Sequence, residues 1–240
     1  MFSAHLGFAC LLKLISITNN ISLGTLFLAS QWPDFVFGIT LTLGQEWGYY
    51  DPSLAGKVFP FTPHFPISHS LFGWLLGTGF LTIFQAFWRK KVLLSEIIVL
   101  SIGVLSHWLL DALVNRGTVP ILPTSKEPSN FVGLYLCDLS NFNFFMLEMV
   151  SLFVPMALLL ISGRLNVLAS RLSKVTLFIL LAIHLVAQYN SCFTTSTDNI
   201  LTAEMGPVFF TTMSVLGLLC HCVDNNRVYI DSTPSTKKSL

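Results

Sequence analysis

The sharpest chemical signal in the chain is Ser106-His107-Trp108-Leu109-Leu110-Asp111. His107 and Asp111 are four residues apart, so a helix carries both on one face. An imidazole and a carboxylate so spaced can serve as two metal ligands, or as a ligand and the group that orients it. They can equally be a hydrogen-bonded pair that lets two polar groups sit in an apolar setting. A second signal is Thr62-Pro63-His64-Phe65-Pro66-Ile67-Ser68-His69-Ser70, where Pro66 suits a first helical turn. It offers His64 and His69 as further ligands. Asp34 and Glu148 can complete a site of histidine and carboxylate. That donor mix suits zinc, manganese or iron rather than calcium, with zinc the first choice. In such a site Asp111 or Glu148 would take the proton from an activated water.

The elements that carry these residues are apolar. Of 240 residues 53% are hydrophobic and 10% are charged, against about 25% charged in a soluble domain. The expected fold is all-α, a polytopic bundle of six to seven transmembrane helices over residues 1–224, with a disordered polar tail at 225–240. A span needs roughly 20 apolar residues. Segments of this kind run from Ile21 to Leu43, Ile67 to Trp88, Val92 to Val114, Phe142 to Ile161, Val175 to Tyr189 and Pro207 to Val223. A shorter one, Phe2 to Ile17, reads as a short or re-entrant first helix. Ionisable groups inside spans cost several kcal/mol unless paired or hydrated. Asp34, His69, His107, Asp111, Glu148 and His184 fall in one layer, toward one face. For His184 a hydrogen bond across helices is the ordinary role. His5 depends on whether the first segment enters the membrane. Glu96 and His221 sit near the other face and are set aside.

Arg89, Lys90, Lys91, Arg164, Arg171, Lys174, Arg227, Lys237 and Lys238 share one side in this order of spans. The basic side is expected to be cytoplasmic, which puts the polar layer near the outer face. Cys137 and Cys192 are the cysteines of the expected outer loops. An oxidising compartment would allow them to pair, although spacing alone does not bring them together. The formal net charge of +1 gives no electrostatic case for a nucleic-acid partner. The chain has no nucleophile elbow, phosphate loop, dinucleotide fingerprint or HExxH pair.

The run PHFPISHSLFGWLL, followed by LSHWLLDALVNRGTVPILP, resembles the paired signature of small bacterial membrane proteins. Those are classed as YdjM-type, membrane-bound metal-dependent hydrolases. QWPDFVFG resembles that family's acidic segment in the preceding span, and VGLYLCD resembles a stretch leading to Glu148. The likeness covers Gln31 to Ser151. It implies an inner-membrane location and metal residues at Asp34, His69, His107 and Asp111, with Glu46, His64 and Glu148 as further members. The chain has Asn115-Arg116-Gly117 where relatives often carry a second histidine, and Glu46-Trp47 where some carry Glu-His.

Three functions compete at this stage. The first is a metal-dependent hydrolase acting at the outer face on a lipid or headgroup-bearing substrate. The second is a non-catalytic membrane scaffold with a structural polar cluster. The third is a small transporter, against which stand the absence of an inverted repeat and the clustering of polar residues toward one face.

Overall fold

The computed structural model describes residues 2–15, 21–89, 92–123, 131–163, 171–193 and 203–225. Lys90, Lys91, Lys126, Arg164, Arg227, Lys237, Lys238 and the tail 226–240 lie outside the described residues. Eight helices are described: α1 (Phe2–Ile15), α2 (Leu23–Ser30), α3 (Trp32–Thr42), α4 (Leu71–Arg89), α5 (Leu94–Val114), α6 (Asn141–Ile161), α7 (Arg171–Phe193) and α8 (Gly206–Asn225). Four of the helical stretches are long and apolar enough to cross a membrane: Leu94–Val114, Asn141–Ile161, Arg171–Phe193 and Ala203–Asp224. The other segments counted as spans in the sequence are shorter or broken.

The bundle has a buried apolar core, and large apolar side chains cover its outside as well. Leu75, Ile83 and Phe87 on α4, and Phe153 and Ile161 on α6, are exposed. Ser106, His107, Asp111, Glu148, His184 and Gln188 are buried. Apolar side chains facing outward, with ionisable groups kept inside, is the arrangement expected where lipid is the solvent.

The stretch expected to be one span, Ile21 to Leu43, is two helices. Gln31 ends α2 and begins α3 with φ −109° and ψ 10°, and Pro33 occupies the first turn of α3. Proline has no N–H to give and its ring crowds the carbonyl four residues back, which disfavours one continuous helix, whereas the first turn of a new helix accepts it. The break falls in the middle of the bundle.

α1 runs parallel to α6. Its first turn meets Glu148, Gly7 meets Ser151, and Cys10 meets Met156. The close approach requires Gly7, where a Cβ would stand 1.9 Å from the Ser151 carbonyl oxygen. α1 therefore starts inside the bundle, where its first N–H groups need partners. Glu148 Oε2 accepts from Ser3 N at 2.9 Å and Ala4 N at 3.2 Å. At the other end, Lys13 Nζ and Asp224 Oδ2 form a buried pair at 2.9 Å, and Asp224 Oδ2 also accepts from Leu23 N. This pair ties α1, α2 and α8 together.

Two short antiparallel strand pairs lie between the helices. β1 (Trp47–Tyr50) pairs antiparallel with β2 (Phe61–His64), and β3 (Val119–Pro120) with β4 (Phe131–Val132). Arg116 joins them. Its Nε donates to Asp138 at 2.8 Å, and its two terminal nitrogens donate to the Phe59 and Val58 carbonyls. Cys137 and Cys192 are both buried in one small cluster with Val58, Val114 and Phe144, and neither forms a disulfide.

Candidate metal centre

Four segments bring their polar side chains to one place. α3 supplies Asp34 from its first turn, where the helix dipole favours a carboxylate. The turn before α4 supplies His69. α5 supplies His107 and Asp111, and α1 supplies His5.

His69 is held by the residues before it. Glu46 Oε1 accepts from Ile67 N at 2.8 Å and Ser68 N at 2.9 Å, while its Oε2 accepts from the Thr40 hydroxyl. A buried carboxylate thus fastens the turn carrying His69 to the end of α3. Ser68 Oγ then bonds His69 Nδ1 at 2.7 Å, which aims Nε2 inward.

His107 is oriented by the helix break. Its Nδ1 lies 2.8 Å from the Ser30 carbonyl oxygen, at the end of α2. A carbonyl only accepts, so Nδ1 carries the hydrogen and Nε2 of the neutral ring is a lone pair. Nε2 is buried and makes no hydrogen bond.

The two Nε2 atoms and two carboxylate oxygens face one another. His69 Nε2 is 3.4 Å from Asp34 Oδ1 and 3.5 Å from Asp111 Oδ2. His107 Nε2 is 3.8 Å from the same Asp34 oxygen and 3.3 Å from the same Asp111 oxygen. His107 Nε2 and the two carboxylate oxygens are acceptors, and acceptors converging in a buried place repel unless a cation, a proton or a metal ion, lies between them. Tetrahedral zinc with N/O ligands at 2.0–2.1 Å requires ligand–ligand edges of about 3.3–3.4 Å. Three of the four distances lie within about 0.2 Å of that value and the His107–Asp34 distance is longer at 3.8 Å, so the donor set and most of its spacing suit the metal.

His5 stands behind this set. Its ring stacks on His107 with centroids 3.9 Å apart and planes 5° from parallel, and its Nε2 is 3.6 Å from Asp111 Oδ1. Asp111 therefore turns one oxygen to His5 and the other to His69 and His107. Among the described residues, two groups could hold an ion: Asp34, His69 and His107, and His5, His107 and Asp111.

The other candidates are elsewhere. His64 is exposed at the end of β2, with its ring centroid 4.2 Å from that of Trp47, and belongs to neither group. Glu148 caps α1. His184 Nδ1 bonds the Leu180 carbonyl of its own helix at 2.8 Å. Glu96 accepts from Leu93 N at the start of its own helix. The structural use of Glu46 was not apparent from the sequence, where it stood only as a family-like acid. Its one sequence signal was a carboxylate just past the end of an apolar segment.

A cavity of about 700 Å³ opens over the cluster. Asp34, His69, Asp111 and His5 line its floor, and apolar side chains of α3, α8 and the first hairpin form most of its wall. Asp34, with 21% of its side chain accessible, is the most exposed of the four facing groups.

No curated protein and no solved structure gives a significant match to the chain. The family model described as YdjM inner membrane protein matches residues 1–191, which include every residue of the cluster. With its apolar helices and inward-facing polar groups, the chain is an integral inner-membrane protein and belongs to the YdjM inner membrane protein family.

Proposed function

We propose that Asp34, His69, His107 and Asp111 hold one divalent transition metal, zinc, and that the protein is a metal-dependent hydrolase working near the non-cytoplasmic face. The observation that carries this reading is the set of distances from 3.3 to 3.8 Å between two imidazole nitrogens and two carboxylate oxygens. In this reading α1, the α2–α3 pair and α4 join the four long helices as membrane segments, making seven. When bound, the metal would supply Lewis acidity and make water more acidic.

The protein groups then divide the work. His69 and His107 hold the ion through Nε2, each fixed by a bond at Nδ1. Asp111 is a ligand kept in orientation by His5. Proton transfer is expected from Asp111 or Glu148 on the sequence, but both Asp111 oxygens face histidines, and Glu148 caps α1 through Oε2 and does not line the cavity. Asp34 is partly open to the cavity, and its Oδ2 has no partner among the described residues. We assign it the proton that water loses on attacking the substrate.

A second reading has one observation in its favour. Four protein ligands close a tetrahedral site, as in structural zinc centres, whereas catalytic sites keep an open position. That reading makes the protein a metal-braced scaffold. Assay of detergent-purified protein against ester, amide and phosphoester substrates separates the two. Hydrolysis that chelation abolishes and zinc restores, and that His107→Ala loses together with the metal, supports the hydrolase. Stoichiometric metal without turnover on any class supports the scaffold.

A further inference from the structure

We infer that the cavity over the cluster binds an uncharged, single-chain amphiphile, an acyl ester or amide, in preference to a phosphate-bearing one. This deepens the proposed hydrolase reading, because it names what would reach the cluster.

The wall is suited to an alkyl chain. Phe37, Phe65, Val208, Phe209 and Met213 line it, and Phe37 packs edge-on against both Phe65 and Phe209. The volume falls within the range of small-molecule pockets, which are mostly apolar with a few polar groups at one end. Here the polar groups are at the floor.

The charges lining the cavity disfavour an anionic head. Among the described lining residues Arg116 is the one Lys or Arg, and all three guanidinium nitrogens donate to Asp138, Phe59 and Val58. The remaining charged side chain of the wall is Asp51, whose Oδ1 accepts from both Ser53 N and Ser53 Oγ. The floor adds two carboxylates. His5 and His69 there face Asp111 and Asp34 rather than the cavity alone. The two carboxylates balance one divalent ion when it is bound and are anionic without it, so in neither state does the cavity carry net positive charge, and it has no uncommitted arginine or lysine to pair a phosphate, whereas an ester or amide carbonyl carries no charge to compensate.

Photolabelling tests this without turnover. Diazirine-labelled methyl palmitate and diazirine-labelled hexadecyl phosphate are each added to the detergent-purified full chain, with and without chelator, and adducts are mapped by mass spectrometry. The ester should label α3 and α8 at the cavity, and chelation should leave that labelling in place. The phosphate should label only outward-facing residues such as Phe87. Met213→Trp, which fills the cavity, should lower cavity labelling about tenfold, equivalent to ~1.4 kcal/mol of lost binding. Thr212→Trp serves if that variant does not fold. Equal cavity labelling by the phosphate, or ester labelling that neither tryptophan reduces, would overturn the inference. Because the labelling needs no metal, a metal-free protein would remove the hydrolase reading and leave this result to stand or fall separately.

Discussion

The His5 ring lies flat against the His107 ring, 3.9 Å away and 5° from parallel, and its Nε2 reaches toward Asp111. One side chain from the first helix thus braces two members of the cluster at once. Partners of this kind fix the orientation of metal ligands, and their loss typically costs 10–100-fold in metal affinity. His5→Phe keeps a flat ring but no donor, so zinc affinity should fall by about that factor while the protein still inserts. His5→Gln, which keeps a donor, should recover part of the loss. The visible spectrum of the cobalt-substituted protein should shift in His5→Phe, and an unchanged spectrum and affinity would remove His5 from the site.

Glu148 should behave as a helix cap and not as a ligand. Glu148→Ala leaves the Ser3 and Ala4 amides buried without an acceptor, at a cost of about 1–3 kcal/mol each. Hydrogen exchange across α1 should accelerate. Bound metal should stay above half of the unmutated level, and complete loss of metal with α1 still protected would make Glu148 a ligand.

Glu46 anchors the turn that presents His69. Glu46→Gln retains an acceptor but loses the charge that Ile67 N, Ser68 N and Thr40 address. The loss should be about 1–3 kcal/mol, since hydrogen bonds to charged groups exceed neutral ones. Thermal unfolding of the metal-free protein should show a lowered midpoint, and an unaltered midpoint would contradict the anchoring role.

The buried Lys13–Asp224 pair gives a stability test far from the cluster. Lys13→Met alone strands a carboxylate and should destabilise by about 3–5 kcal/mol. Lys13→Met with Asp224→Asn should recover much of that. A double-mutant cycle with no coupling would show that the pair does not join α1 to α8.

Burial pushes the Cys137 thiol above its ordinary pKa. The thiolate is the reactive form, so Cys137 should be alkylated slowly at neutral pH and faster only as pH rises past the usual thiol range. Cys222 is exposed at the opposite end of the bundle. An impermeant maleimide should label it in inverted vesicles and not in intact cells, and the reverse pattern would invert the expected orientation.

The polar cluster was legible because helix geometry fixes neighbours four apart and membrane depth fixes a layer. Those two regularities single out His107 with Asp111, and then Asp34 and His69 at similar depth. They gave no account of His5, since its place depends on α1 running beside α6 and starting inside the bundle. They do not separate His64 from His69, whereas the strand end that carries His64 turns it onto Trp47. The break at Gln31 had a signal in Pro33, but an unbroken apolar run from Ile21 to Leu43 obscured it. The first hairpin was hidden for a related reason, because Trp47, Tyr49 and Tyr50 suit a membrane interface as well as a strand.

The central claim is that a metal sits among His69, His107, Asp34 and Asp111. X-ray absorption at the zinc edge, on protein purified from membranes without added metal, tests it most directly. The expected result is about one zinc per chain, a shell of nitrogen and oxygen near 2.0–2.1 Å with histidine outer-shell scattering, and a weaker histidine signal in His107→Ala. Protein without stoichiometric metal, or a sulfur shell near 2.3 Å, would contradict it.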